Sequence, residues 1–516
     1  MTALEFLPTS NPWALAAVVT LLSLCSLVYW LAQRPAFPRN APPMIKGGNF
    51  PVFGAGLRFF KERWDFHRQA AIDSKGQPFS YYVGPHPVIG MTGEQNRKLF
   101  FEHKGFNFSN AYTTLFGGGG QIREDTAARA TSDGAGSEAG DASGFALYFN
   151  RRLIAMLKGN VIRKGLPNLL KDTRARLDEL ARDSRGITDP FDSIYRIVFQ
   201  LTMRTVAARE ICEDDALREQ CLRHFEMLDE STSALGVMYP WLPLLSTAKR
   251  NYAGARLYMV FNNLITDRKK HNRTEDDAMQ YLLDQGDNVV DIITFVLGSL
   301  FAGQLNSGIN AAYLLCFLGR DPHWKGKVIE EIHTVADKYS PDATKPLVDR
   351  LMDVPLEAWE GEFPVVDICL KDSIRLNLPG TAFRQNLSGQ DIPLDKEGRT
   401  VVPHGAFMTY ASGDMFYNPD IYPNPEQWDP ARYLPERAED KKEQYSWTGW
   451  GVARHPCLGM RFAKLEMSMI VSFFVAYFPD FHLSDSKGVK SDFIPLGDRN
   501  NLTAKKPREN VYLKYQ

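Results

Sequence analysis

Apolar residues recur at helical spacing over most of the chain. Met460–Tyr477 sets Phe462, Leu465, Met469 and Phe473 on one face of a helix. Segments 364–376 and 145–157 read as shorter helices, and 160–272 is mostly helical, interrupted at Pro190, Pro240 and Pro243. Alternation of apolar and turn residues in 79–91, with Tyr81, Val83, Val88 and Ile89, predicts a hairpin of a small sheet. The pattern is that of a mostly α protein with a small β region.

Two apolar runs carry no charge, 13–32 and 292–319, and either is long enough to span a bilayer. The second holds Gln304, Asn306, Ser307 and Asn310 at its middle. Buried polar groups are costly unless satisfied, and the flanking Gly303 and Gly308 lower helix stability. Together they predict a core helix, locally opened, with polar groups facing a cavity. The first run has Glu5 before it and Arg34, Arg39 and Lys46 after it. That asymmetry puts the bulk of the protein in the cytosol. A cleaved signal peptide would have a basic start and a shorter apolar core, so 1–34 is expected to be a retained membrane anchor.

Pro35, Pro38, Pro42 and Pro43 make 35–50 a stiff proline-rich hinge. By length alone the chain would hold about three domains; the family resemblance described below implies instead that residues 51–516 form one catalytic domain. Within it 117–144 is low in complexity, rich in Gly, Ala, Ser, Asp and Thr, and cannot bury enough apolar surface to order itself. It reads as a solvated insertion; the family resemblance described below implies that it could also act as a lid. The aromatic cluster before it (Phe100, Phe101, Phe106, Phe108, Tyr112, Phe116) either lines a pocket or packs as core. Met238, Tyr239, Trp241 and Leu242 are candidates for an apolar access route.

Composition narrows the class. The chain has 516 residues, 44% of them hydrophobic, and a formal net charge of −1, which gives no electrostatic case for nucleic acid. Its six cysteines show no paired spacing, hence neither a disulfide framework nor a zinc site.

One cysteine stands apart. Cys457 lies at the mouth of the predicted helix Met460–Tyr477, where free N–H groups and the positive dipole end favour a thiolate. Gly451 and Gly459 bracket it and let a flat partner approach the backbone. Trp450 adds an aromatic face. The run Trp450-Gly451-Val452-Ala453-Arg454-His455-Pro456-Cys457-Leu458-Gly459 resembles the haem-binding loop of the cytochrome P450 family, aromatic-Gly-x-Gly-x-(Arg or His)-x-Cys-x-Gly. Trp450 replaces the usual Phe and Ala453 the usual Gly.

Two further segments resemble the same family. Ala302-Gly303-Gln304-Leu305-Asn306-Ser307 matches its oxygen-activating segment, with Leu305 in the acid position and Asn306 in the threonine position. The Gln-x-Asn form is similar to the branch of sterol hydroxylases and prostacyclin synthase. Asp372 and Arg375 match the family's Glu-x-x-Arg brace with a shorter acid, and Arg432 the later arginine.

The resemblance implies a P450 fold preceded by one transmembrane helix, binding haem b through an axial Cys457 thiolate. It implies haem contacts from His455, Arg384, Trp450 and Gly459, and from Arg151 or Arg152 on the 145–157 helix. Asn306, Gln304 and Ser307 take the catalytic positions. The implied protein is a fungal-type monooxygenase of the endoplasmic reticulum membrane, fed by NADPH-cytochrome P450 reductase and oxidising an apolar terpenoid, alkaloid or sterol-like molecule. Arg454, Arg461 and Lys464 are expected on the docking side. Asn306 does not titrate, which leaves open an isomerase or dehydratase working without reductase.

Overall fold

The computed structural model describes residues 12–116, 144–378, 380–501 and 504–515. Helices dominate, as the periodicity predicts. The helix Val289–Arg320 runs through the centre, and Pro190–Val206 packs along it more extensively than any other described helix. Close approach is possible because of Gly308, where an added Cβ would sit 2.8 Å from Tyr195 Cδ2. Among the described residues this central helix alone is long and apolar enough to cross a membrane, yet residues 311–319 are all buried. It is a core element. It stays α-helical throughout, contrary to the expected local opening. Its amides turn back on their own helix instead: Asn306 Nδ2 donates to Ala302 O (3.2 Å), and Asn310 Nδ2 to Asn306 O (2.9 Å).

A five-stranded sheet flanks the helices in the order Phe79–Val83, His86–Met91, Phe407–Ala411, Thr381–Asn386, Phe106–Asn107. The predicted hairpin pairs Phe79 with Gly90 and Val83 with His86. His86–Met91 then pairs in parallel with Phe407–Ala411, Val88 opposite Phe407.

The Asp/Arg brace forms, altered by the shorter acid. Asp372 and Arg375 are both fully buried, with Arg375 Nε donating to Asp372 Oδ1 at 2.7 Å. Arg375 also donates to the carbonyls of Phe416, Pro425 and Gln427. Arg432 stays 3.9 Å from Asp372 and is neutralised by Glu439 at 2.8 Å. Trp428, from the same loop, stacks on Phe317 of the central helix (5.1 Å, 6°) and donates to Cys369 O. These contacts tie the loop to the core beside the Cys457 segment.

At the N-terminal end, Pro12–Ala32 is a helix with Trp13, Leu21, Leu22, Tyr29 and Trp30 exposed. Its apolar stretch Leu15–Trp30 is shorter than the central helix. The insertion 117–144 lies, apart from Gly144, outside the described residues.

Candidate functional site

The Cys457 segment is a tight loop closed by its own backbone. Cys457 N donates to Trp450 O at 2.7 Å, and Gly451 N to Thr448 O at 2.9 Å. Gly451 takes φ +67°, and a Cβ there would lie 2.3 Å from His455 O, so glycine is required. Ala453 takes φ +53°, a left-handed conformation that costs an alanine about 1–2 kcal/mol. The loop runs into the helix Met460–Tyr477, with Gly459 at its N-cap.

Above the loop lies a cavity of about 1470 Å³, lined by Cys457, Trp450, His455 and Gly459 on one side and by Ala302, Asn306 and Ser307 of the central helix on another. Small-molecule sites commonly take about 300–1,000 Å³, so this one has room for a flat cofactor and a substrate together. Of the described cysteines, Cys212, Cys221, Cys316 and Cys369 are buried in the core and Cys25 sits on the N-terminal helix; Cys457 alone lines the cavity. Cys457 is exposed, opening onto this half-open cavity, whose walls still desolvate the sulfur. Burial therefore raises its thiol pKa, and the N–H groups of Gly459 and Met460 pull it partly back. Those two donors are what a thiolate ligand needs. The sulfur, the open face at Gly459 (no atom within 4 Å of a Cβ) and the uncharged helix opposite fit haem. When bound, haem supplies the oxygen chemistry, with thiolate electron density favouring O–O cleavage.

The other sequence-derived residues divide. His455 stacks on Phe108 (5.0 Å, 23°), and Arg384 lies over the same ring at 5.2 Å. Both thus converge on one edge of the cavity, His455 at its wall and Arg384 buried behind Phe108. Arg152 is committed elsewhere: it grips Asp287 with Nε and Nη2 (3.0 and 2.8 Å). Arg151 is half-buried and does not line the cavity, whereas its neighbour Asn150 does. Gln304 points away, fully buried, donating to Tyr195 O at 2.8 Å. It holds two helices together and is not brought to the cavity. Ser307 and Asn306 are.

Arg454 lines the cavity and donates to His103 O at 3.4 Å. Its place next to His455 in the loop was the available signal. Phe108, Tyr112 and Phe116 line the cavity, while Phe100, Phe101 and Phe106 are core. Met238 and Tyr239 pack against the Val52–Gly56 segment, Tyr239 OH donating to Val52 O at 2.6 Å, and do not line the cavity. Sequence reasoning missed Glu466, a buried acid on the cavity wall.

Comparison with known proteins identifies the family. The family model "Cytochrome P450" matches residues 43–495. Cytochrome P450 monooxygenase AacuE of Aspergillus aculeatus is 31% identical over 477 residues, 92% of each chain. Cytochrome P450 monooxygenase nsrP of Aspergillus novofumigatus is 33% identical, over 90% of this chain and 88% of that one. The fold matches retinoic acid-bound cyanobacterial CYP120A1 with TM-score 0.67 at 18% identity, covering 92% of this chain and 99% of that one. With a cysteine at the floor of a haem-sized cavity and relatives spanning its length, the chain belongs to the cytochrome P450 family and is a haem-thiolate monooxygenase.

Proposed function

We propose that this monooxygenase is anchored in the endoplasmic reticulum membrane, takes electrons from NADPH-cytochrome P450 reductase, and oxidises an apolar small molecule in fungal secondary metabolism. The observation that carries the substrate class is the wall of the cavity. Phe108, Tyr112, Phe145, Phe149, Leu297 and Phe301 present apolar surface over Cys457. The protein's part is to orient that substrate and exclude water. Fungal relatives at about a third identity support the setting.

Support for the anchor is the exposed apolar face of Pro12–Ala32, whose Trp30 packs edge-on against Trp241 at 6.1 Å. Arg461 and Lys464, paired with Glu360 and Asp367, sit on the outer part of the Cys457 helix and suit a redox partner. The likeness to the sterol hydroxylase and prostacyclin synthase branch rests on residues 302–307 alone. A reductase-independent rearrangement is not favoured, because the relatives are monooxygenases. Oxygen and NADPH consumption with reconstituted reductase tests the reading. Absence of any reductase-dependent oxygen use by haem-loaded protein would overturn it.

A further inference from the structure

One end of the cavity carries positive charge without a counter-ion. Arg250, half-buried on the helix Leu245–Lys270, lines it together with Thr232 and Ser233. Its Nη1 donates to the Thr232 hydroxyl at 3.3 Å. Among the described residues its Nε and Nη2 make no hydrogen bond, and no carboxylate comes within 4.0 Å of it. Burial lowers its pKa, and the attraction of Asp229 offsets this only in part. The other charged groups on the wall are engaged elsewhere or stand apart. Lys505 pairs with Asp229, Arg454 donates to His103 O, and Glu466 is held by the Thr202 and Ser307 hydroxyls. Glu230 is exposed and forms no ion pair with Arg250.

A second guanidinium lies behind the same end. Arg63 is 1% exposed, and its Nε donates to Phe59 O at 3.1 Å. Its Nη1 and Nη2 have no partner among the described residues. Phe60 and Tyr112 stand between it and the cavity: its Cζ is 5.9 Å from the Phe60 ring, and its charge acts on the Tyr112 hydroxyl. Burial pushes Arg63 down to about 9, opposed by two tyrosines and by no acid. The short helix Ala234–Met238 links the two arginines. It packs on Gly56–Lys61 and on Phe108–Phe116, and Ser233 at its N-cap meets Ser246 of the Arg250 helix at 3.1 Å.

Desolvated charge is costly unless something pairs with it. Low-dielectric walls of one sign also focus a field that draws in the opposite charge. Nothing in the described chain repays this cost at Arg250 and Arg63, whereas a ligand anion would. We propose that the substrate of this cavity carries a carboxylate on its apolar body, and that Arg250 recognises it. The open Nε and Nη2 edge of Arg250 suits the paired hydrogen bonds that guanidinium groups make with carboxylates. Arg63 does not touch the carboxylate; it adds attraction from behind Phe60 and Tyr112. The proposal deepens the functional reading above and rests on it, since it takes this cavity as the substrate site.

The test uses haem-loaded, full-length ferric protein and three matched pairs of probes: pyrenebutyric, dodecanoic and hexadecanoic acids, each with its methyl ester. Haem quenches pyrene fluorescence, so the pyrene pair is titrated directly and the others by displacement of pyrenebutyric acid. At neutral pH and low salt at least one acid should bind tighter than its ester by about tenfold or more, the strength of hydrogen bonds to a charged group. Added salt should weaken the acid and leave the ester unchanged. Arg250→Gln should bring the acid-to-ester ratio to about one by weakening the acid alone, and Arg250→Lys should restore part of it. Arg63→Met should weaken the acid by less than Arg250→Gln does. The same acid-to-ester ratio in wild type and Arg250→Gln would overturn the proposal, as would a panel in which every ester binds as tightly as its acid. None of these titrations needs reductase, NADPH or oxygen. A failure here therefore leaves the monooxygenase reading standing, and loss of reductase-dependent oxygen use with intact acid preference would sink that reading instead.

Discussion

Replacing Asp372 by Asn should separate charge from shape in the brace beside the Cys457 loop. The Asp372 carboxylate accepts Arg375 Nε at 2.7 Å and Nη2 at 3.3 Å, the Asp429 N–H at 2.6 Å and the Tyr433 hydroxyl at 2.9 Å. Neither Asp372 nor Arg375 is exposed, so Asp372→Asn leaves a buried guanidinium without its counter-charge. Breaking such a pair costs about 3–5 kcal/mol. Arg375 keeps three carbonyl acceptors, which argues for the lower end, about 3 kcal/mol. Against a typical stability of about 5–15 kcal/mol that is a large loss. Asp372→Glu should behave differently. Its extra methylene overpacks the site by about 1–3 kcal/mol. It also brings an oxygen toward Arg432 Nε, which has no hydrogen-bond partner among the described residues, for a charge-assisted bond of about 1.5–3 kcal/mol. The two should cancel to within about 1 kcal/mol. Urea unfolding of the haem-loaded protein, followed at the Soret band, reads both variants if the slope is unchanged. Equal losses for Asn and Glu would show that the carboxylate acts as a spacer and refute the reasoning.

Cys457→Ala should abolish the red-shifted Soret band of the reduced, carbon monoxide-bound protein, and an unaltered spectrum would remove Cys457 as ligand. Ala453→Gly should stabilise the loop by about 1 kcal/mol, because it relieves φ +53°, and denaturant midpoints would register the gain. Gly308→Ala gains about 1 kcal/mol in helix propensity but presses Tyr195, an overpacking of about 1–3 kcal/mol. The net should be a loss, seen as a lower unfolding midpoint. Asn306→Thr should keep haem and change how much NADPH use ends in water; an identical partition would remove Asn306 from the oxygen chemistry.

Long apolar stripes made most helices legible, and Met460–Tyr477 appears with the predicted bounds. The cysteine loop was legible because its glycines answer to backbone geometry, as Gly451 does. What escaped depends on which way a side chain turns. Gln304 and Ser307 are three apart on one helix, yet one faces Tyr195 and the other the cavity. The partner of Arg432 could not be read, since a one-methylene deficit at Asp372 is made good by Glu439 from a loop with no periodic pattern. Glu466 did leave a trace. It is an acid on the apolar stripe of Phe462, Met469 and Phe473, where a charge has no business unless something pairs with it or protonates it.

The parallel pairing of His86–Met91 with Phe407–Ala411 carries a consequence for biosynthesis. Most of the polypeptide separates the two strands, so their ladder cannot close until the ribosome is near the end of the message. The helices encoded in between include the most extensive helix pair, Pro190–Val206 on Val289–Arg320, and can begin to assemble first. Because Cys457 is translated later still, and the buried helix Met460–Tyr477 after it, the helical core closes only once the cysteine loop has been made, so the cofactor meets both at the same late stage.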